Sequence, residues 1–262
     1  MVITVLNSIG AVVLNACTAI GDFVLFIGAV VKTLCTTTLK WRQVVIQMHH
    51  IGVESFSIIC LTGVSIGLAL ALQSYIGFHR FGADELIGLV VALGITRELG
   101  PVITGLMVTG RCGSAMTAEI GTMQITEQID ALKTLCINPY QYLIVPRLLA
   151  SAFILPFLTI FSVFFGIAGG YFFCIYGLGL NPTDFIGVIR ERIQLSDIVG
   201  GLIKSSFFGL VLACVGSYNG YITTGGARGV GLATTRSVVT GSIAILIANY
   251  FLSSLLFKTG IS

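Results

Sequence analysis

The sequence predicts an all-α, polytopic membrane protein with five transmembrane helices. N-terminal interfacial helices precede them, and a cytosolic amphipathic helix lies between spans two and three. Two observations carry this class. Hydrophobic residues make up 55% of the chain and charged residues only 10%, with a mean hydropathy of +0.99. A soluble domain carries about 25% charged residues and could not cover itself with so few. The apolar residues also come in uninterrupted runs, and ~20 residues suffice to cross a hydrocarbon core of ~30 Å. The net charge of +3, with no basic run, does not suggest nucleic acid as a partner. Residues 1–262 read as a single domain, in which 1–50 form the interfacial part and 51–262 the five-span region.

The first 31 residues are apolar apart from Asp22 and a few small polar residues (Asn7, Ser8, Asn15, Thr18). No basic residue precedes Lys32, so the segment lacks the start of a signal peptide. Asp22 interrupts it, and the expectation is a pair of interfacial or half-inserted helices rather than a full span. Residues 32–50 hold Lys32, Lys40, Arg42, two histidines and the only Trp, as an interfacial segment does. Span one runs from about Gly52 to His79, with Gly63 and Gly67 spaced for close helix contact. A short turn, Arg80 to Glu85, leads to span two, about Leu86 to Thr109. The stretch Gly110 to Gly121 reads as a glycine-rich turn into the cytosol. Span three runs from about Leu143 to Tyr176, with Pro156 as an expected kink and Gly166, Gly169 and Gly170 for close packing. Asn181-Pro182 signals the start of a short helix in the next loop. Span four follows, about Ile198 to Tyr218, then a glycine-rich loop, Thr223 to Thr235, and span five, about Ser237 to Phe257.

Basic residues set the orientation. With the N-terminus inside, inner segments hold Lys32, Lys40, Arg42, Arg111, Lys133, Arg147, Arg228 and Arg236, and outer ones hold Arg80, Arg190, Arg192 and Lys258. Five spans then leave the C-terminus outside.

Two features stand out from the apolar background. The first is Arg97-Glu98, inside span two and just before Gly100-Pro101. A charge at a helix centre costs roughly 2.5–3.5 kcal/mol, so the pair costs about 5–7. The apolar residues of the span return only about 5 in total. The pair therefore does not face lipid. It serves either as a structural ion pair or in substrate passage or gating. Lys204, in span four, is the other intramembrane charge; it either snorkels to the surface or neutralises Glu98 or a lipid phosphate. The second feature is the segment Glu119 to Pro139. Ile125, Ile129, Leu132 and Cys136 share one helical face, while Glu127, Asp130 and Lys133 lie on other sides. A net acidic helix gains little from an anionic membrane surface, so a protein partner is the better reading.

The seven scattered cysteines and three histidines show no metal-ligand spacing and read as core or interfacial residues. GGARGVG lacks the Lys-Ser/Thr of a phosphate-binding loop, and no catalytic triad or paired acid appears. No chemistry of bond making is expected of this chain.

The run ITRELGPVITGLMVTGRCGSAMTAEIGTMQITEQIDAL, with the later LIKS and ATTRSVV, closely resembles the MlaE-type permeases of lipid ABC transporters. The likeness covers nearly the whole chain and is weakest over the first ~40 residues. It implies a permease that moves phospholipid between inner and outer membranes. Two copies would enclose a lipid pocket whose wall includes Leu70, Ser74, Gly77, Phe78, Phe81 and Leu99, with Arg97, Glu98 and Lys204 as the polar gating group. A cytosolic ATPase dimer, which binds the ATP and Mg, would dock on a coupling helix at about Ile120 to Ile137, through Glu127, Ile129, Asp130, Leu132 and Lys133. A hexameric ring of MCE-domain proteins would sit on the outer face, and a small accessory subunit would join the ATPase. The implied location is a bacterial inner membrane, ahead of a plastid inner envelope. Some relatives carry Asp in span five where this chain has Asn249, so Lys204 must find Glu98, water or lipid instead. Two other readings stay open: an autonomous ion-coupled carrier built on Arg97 and Glu98, or a membrane scaffold for the ring.

Overall fold

The structure, a computed structural model, describes residues 2–259. Its helices in order are α1 (Val2–Thr36), α2 (Trp41–Phe78), α3 (Leu86–Ile125), α4 (Gln128–Thr134), α5 (Tyr140–Gly177), α6 (Pro182–Arg192), α7 (Leu195–Tyr221) and α8 (Gly226–Thr259). Among the described residues six helices are long and apolar enough to cross a membrane: Cys17–Thr36 within α1, and α2, α3, α5, α7 and α8.

Several elements are longer than the sequence reading expects. α1 is one continuous helix, not a pair. Asp22 lies on its exposed side, while Phe26, Val30 and Thr33 face inward at helical spacing, so the charge interrupts nothing. α2 begins at Trp41 rather than Gly52 and has 38 residues. At 1.5 Å per residue that is about 57 Å, well beyond a ~30 Å core. Residues 41–50 of the interfacial segment and span one are therefore a single rod, while residues 32–36 belong to α1.

The turn expected at Gly110 to Gly121 is also helix. α3 continues through it by way of one wide π-helical turn, Thr109–Gly113, which takes up the extra residue without ending the helix. Thr109 Oγ1 donates to the Gly105 carbonyl at 2.7 Å inside that turn. A second such turn, Ile95–Leu99, stands just before Gly100-Pro101. Pro156 sits inside an unbroken α5 segment, Val145–Phe172. The expected loop Thr223 to Thr235 is mostly helix: residues 222–225 make the turn, Gly225 and Gly226 take φ 89° and 66°, and α8 starts at Gly226.

The start expected at Asn181-Pro182 holds. Asn181 caps α6 by accepting from the Thr183 N–H at 3.2 Å, with Pro182 next to it. Gln194 and Asp197 form a reciprocal capping box on α7.

α2 and α5 share the most extensive helix contact. Glycines set its closeness, as their spacing predicts. A Cβ at Gly67 would collide with the Gly166 carbonyl oxygen, and one at Gly63 would lie 2.8 Å from the Ser162 carbonyl oxygen. Two apolar clusters complete the core. The larger gathers Ile59, Val108, Ile144, Phe208, Leu212 and Ile245; the smaller joins Ile87, Val91, Ile95, Cys174 and Phe185 where α6 meets α3.

Gly67→Ala tests the α2–α5 contact. The neighbour is backbone and cannot rotate away, so the helices must separate, at a cost of about 1–3 kcal/mol. The expected outcome is a lower midpoint of thermal unfolding in detergent, with Gly77→Ala, where a Cβ meets open space, as the neutral control.

Candidate functional site

The site grows from the missing N–H of Pro101. The carbonyl of Arg97, four residues earlier, has no helix donor from that position. Lys204 of α7 supplies one: its Nζ donates to the Arg97 carbonyl at 2.9 Å and to Glu98 Oε1 at 2.7 Å. Glu98 also accepts from Asn249 Nδ2 at 2.9 Å and from Ser253 Oγ at 3.0 Å, both on α8. One carboxylate thus joins α3, α7 and α8.

Arg97 does not pair with Glu98. Adjacent helical residues point about 100° apart, and Arg97 turns to the start of α7. Its Nε donates to Asp197 Oδ1 at 2.8 Å. The other oxygen of Asp197 accepts from the Gln194 N–H at 2.9 Å, so one buried carboxylate caps α7 and holds Arg97. The four charges sum to zero. In each pair one side chain is buried and the other is not: Lys204 is 4% exposed against 45% for Glu98, and Asp197 0% against 41% for Arg97. Arg97 and Glu98 thus keep an accessible edge.

That edge lines a cavity of about 250 Å³. Gly200, Gly201 and Ser253 contribute to its polar side, and Leu256 and Phe257 close the apolar side. Sites for drug-sized ligands occupy ~300–1,000 Å³, so this one suits a polar headgroup or water rather than a whole diacyl lipid.

Of the residues expected at the pocket wall, Leu70, Ser74, Gly77 and Phe78 lie along α2, Phe81 lies beyond its end, and Leu99 lies on α3. Ser74 is buried, and Leu70 and Phe78 pack on the smaller core cluster. Gly77 is exposed, and Phe81 is 85% exposed. Their shared face ends because α2 stops at Phe78 and the tighter turn His79–Phe81 follows. Leu99 is half-buried beside Glu98.

The single amphipathic helix expected from Ile125 to Cys136 is broken. α3 runs to Ile125, Glu127 takes a left-handed conformation at φ 59°, and α4 is a seven-residue helix closed by Cys136 at φ 58°. Ile129 is fully buried, and Leu132 packs on the core. The apolar face therefore serves this chain's own core. α4 shows the charges Asp130 and Lys133 to solvent, flanked by exposed Glu127 before it and Leu135 after it. Asp130 accepts from Lys133 Nζ at 2.8 Å, and this hydrogen bond raises the lysine above its ordinary value.

A second charged group ties α2, α3 and α5 together at the α4 end. Glu54 meets His50 Nδ1 at 2.8 Å and Arg111 Nη2 at 3.5 Å. Buried Arg147 reaches Glu119 at 2.7 Å. The sequence reading missed Asp197, Ser253, Glu54 and Glu119 as partners. Two of them carried a signal. Asp197 stands at the third helical position after Gln194, where an acid closes a capping box. Ser253 lies four residues from Asn249, on the same face.

Glu98→Gln would leave the buried Lys204 ammonium without its counter-charge, at a cost of about 3–5 kcal/mol. Glu98→Gln with Lys204→Met removes both charges and is expected to recover more than half of that loss. Unfolding midpoints in lipid nanodiscs check both variants; equal losses in the single and double variants would refute the pairing.

Comparison with known proteins gives the family. The model of the family described as "Permease MlaE" matches residues 44–255. A "Probable ABC transporter permease protein" of Rickettsia felis is 40% identical over 258 residues, which is 98% of this chain and 100% of the relative. "Protein TRIGALACTOSYLDIACYLGLYCEROL 1, chloroplastic" of Arabidopsis thaliana is 39% identical over 88% of this chain and 66% of its own length. The "Intermembrane phospholipid transport system permease protein MlaE" of Haemophilus influenzae is 35% identical over 99% of this chain and 100% of the relative. With the multi-pass helical fold and a family match over most of its length, the chain belongs to the MlaE permease family.

Proposed function

We propose that the chain is the membrane permease subunit of an ATP-driven transporter that moves phospholipids between an inner and an outer membrane. The observation that carries this reading is the family match, which spans the charged site and α4 alike. The hydrolysis of ATP belongs to a separate ATPase dimer on the cytosolic side. A second copy of the chain, a hexameric MCE-domain ring on the outer face and a small accessory subunit complete the assembly. The membrane is the bacterial inner membrane.

The fold supports a five-span arrangement with α1 at the inner surface. Phe26 of α1 meets Tyr140, Tyr218 and Tyr221, and Phe23 meets Tyr218. These tyrosines stand at the start of α5 and the end of α7, the same end of the bundle, so α1 docks on that end rather than running along the bundle. The exposed apolar face of α8, with Val239, Ile243, Leu246 and Tyr250, is available to the second copy and to lipid.

Coupling runs along α3. From Glu98 to Ile125 the helix covers about 40 Å at 1.5 Å per residue. One end carries the charged cavity, and the other leads within two residues into α4. A push on α4 tilts a rod whose far end holds Arg97 and Glu98. Because each keeps an accessible edge, the cavity can exchange polar partners without exposing Lys204 or Asp197. An autonomous ion-coupled carrier would use the same four charges but has no use for α4.

Leu135 is 70% exposed at the end of α4. Leu135→Asp is expected to weaken ATPase docking about ten-fold or more, as loss of an interface hot spot does, while the chain still folds. Binding of the ATPase to the chain in nanodiscs measures it. ATP-dependent transfer of labelled phospholipid by the reconstituted complex tests the function itself, and transfer by the purified chain without any ATPase would overturn it.

A further inference from the structure

One apolar groove takes no part in the charged site. It has a volume of about 660 Å³ and lies between α2 and α5 on their outer side. Gly52 and Ile154 meet at its floor, where a Cβ on the glycine would lie 2.9 Å from the isoleucine side chain. Val53 and Phe56 of α2 form one wall, and Phe157 and Phe161 of α5 the other. Phe56 and Phe161 stack edge to face at 5.0 Å. Val53 and Phe157 are 60% and 57% exposed.

The groove has a polarity gradient along α2. His49 lines it at one end, and Phe56 lies seven residues further on, in nearly the same direction on the helix. Seven residues before His49, on that same stripe, stands exposed Arg42. Among the described residues no carboxylate pairs with it, whereas its two cationic neighbours at this end of α2 are engaged: Lys40 sits 4.7 Å over the Tyr142 ring and Arg111 meets Glu54. Trp41, 60% exposed, opens α2 beside it and marks the level of the membrane interface. From Arg42 to Phe56 the stripe covers about 21 Å, longer than one leaflet's ~15 Å half of the hydrocarbon core.

We propose that this groove holds one anionic phospholipid of the inner leaflet, with its phosphate on Arg42 and one acyl chain laid over Gly52 between the two phenylalanine walls. The order of chemistry from free cation to imidazole to aromatic trough matches a phospholipid standing in its own leaflet. An interface with a second copy would not need an unpaired cation in line with the trough. The site stands apart from the cavity at Arg97 and would present lipid to the permease from the bilayer, so its purpose rests on the transport reading above, while its existence does not.

The test uses the full chain in nanodiscs containing phosphatidylglycerol with a photoreactive acyl chain, with adducts mapped by mass spectrometry. Adducts are expected on residues 45–57 and 154–161. Arg42→Glu should lower their yield about five-fold, near the worth of one interfacial cation. Val53→Trp, at an exposed position, should lower it by filling the trough. Adducts on the exposed Tyr250–Phe251 face should not change in either variant. Groove adducts that are absent, or that ignore both substitutions as the α8 face does, overturn the site and leave ordinary boundary lipid. Disulfide bonds between copies carrying Val53→Cys overturn it in favour of a second copy. ATP-dependent transfer by the reconstituted complex is read separately. Transfer lost with groove adducts intact counts against the transport reading alone, and transfer intact with no groove adducts counts against the site alone.

Discussion

The ion pair between Glu98 and Lys204 is the constraint from which the rest of the site follows. Neither charge can face hydrocarbon, and an ammonium buried to 4% exposure must be matched where it stands. Matching it brings α7 against α3. Completing the hydrogen bonds of the carboxylate brings in α8 through Asn249 and Ser253. Arg97, adjacent in sequence and turned about 100° away, then has to be met from elsewhere, and Asp197 meets it while capping α7. Helices that would otherwise slide on apolar faces are fixed in register by four charges. Asn249, as an amide, donates to Glu98 and leaves Glu98 as the counter-charge to Lys204.

A different rule governs α2 and α5. There the contact is backbone against backbone, through Gly63, Gly67, Gly166 and Gly169. In a membrane the apolar effect does not press helices together, so close approach and dispersion must do so. The glycine seam is dense and leaves little room for motion, whereas the charged contact is cavitied and polar. The molecule thus has a stiff half, α2 with α5, and a half in which α3, α7 and α8 meet around about 250 Å³ of open space. Movement driven from α4 has its easiest outlet in the second half.

Much of this was legible in the sequence wherever a single residue type forces the outcome. Composition required a membrane fold. The spacing of Gly63 and Gly67 required a close partner, and the cost of Arg97-Glu98 required burial against another element. Asn181-Pro182 required a helix start. The sequence was less informative where two outcomes cost nearly the same. Gly110 and Gly113 lie in a helical turn at a cost of roughly 1 kcal/mol each relative to Ala, and packing against α7 and α8 outweighs it. The i, i+4, i+7 pattern of Ile125, Ile129 and Leu132 fits a docking face and a core face equally well. Only the left-handed residue at Glu127, which no propensity rule favours, decides that the pattern turns inward. The spacing of Leu70, Ser74, Gly77 and Phe78 keeps one register along α2, whereas Phe81 lies beyond the helix end at Phe78.

The charges at the cavity are not explained by stability. A buried ion pair can commonly be replaced by apolar residues of similar volume with no loss, and often with a gain. Four charges with capping and hydrogen-bond partners are therefore an expensive way to hold three helices together, when the glycine seam of α2 and α5 does so without any. What the charges provide, and an apolar plug would not, is a wall that stays polar on one side. Arg97 and Glu98 each keep nearly half of their side chain accessible, while the partners that neutralise them are sealed. Such a wall offers a donor and an acceptor to whatever enters, and it remains neutral when nothing does. An empty apolar cavity of this size would collapse or fill with acyl chain; a neutral, hydrogen-bonded one accepts water or a headgroup in turn. That property fits the proposed phospholipid cargo, apolar at one end and ionic at the other.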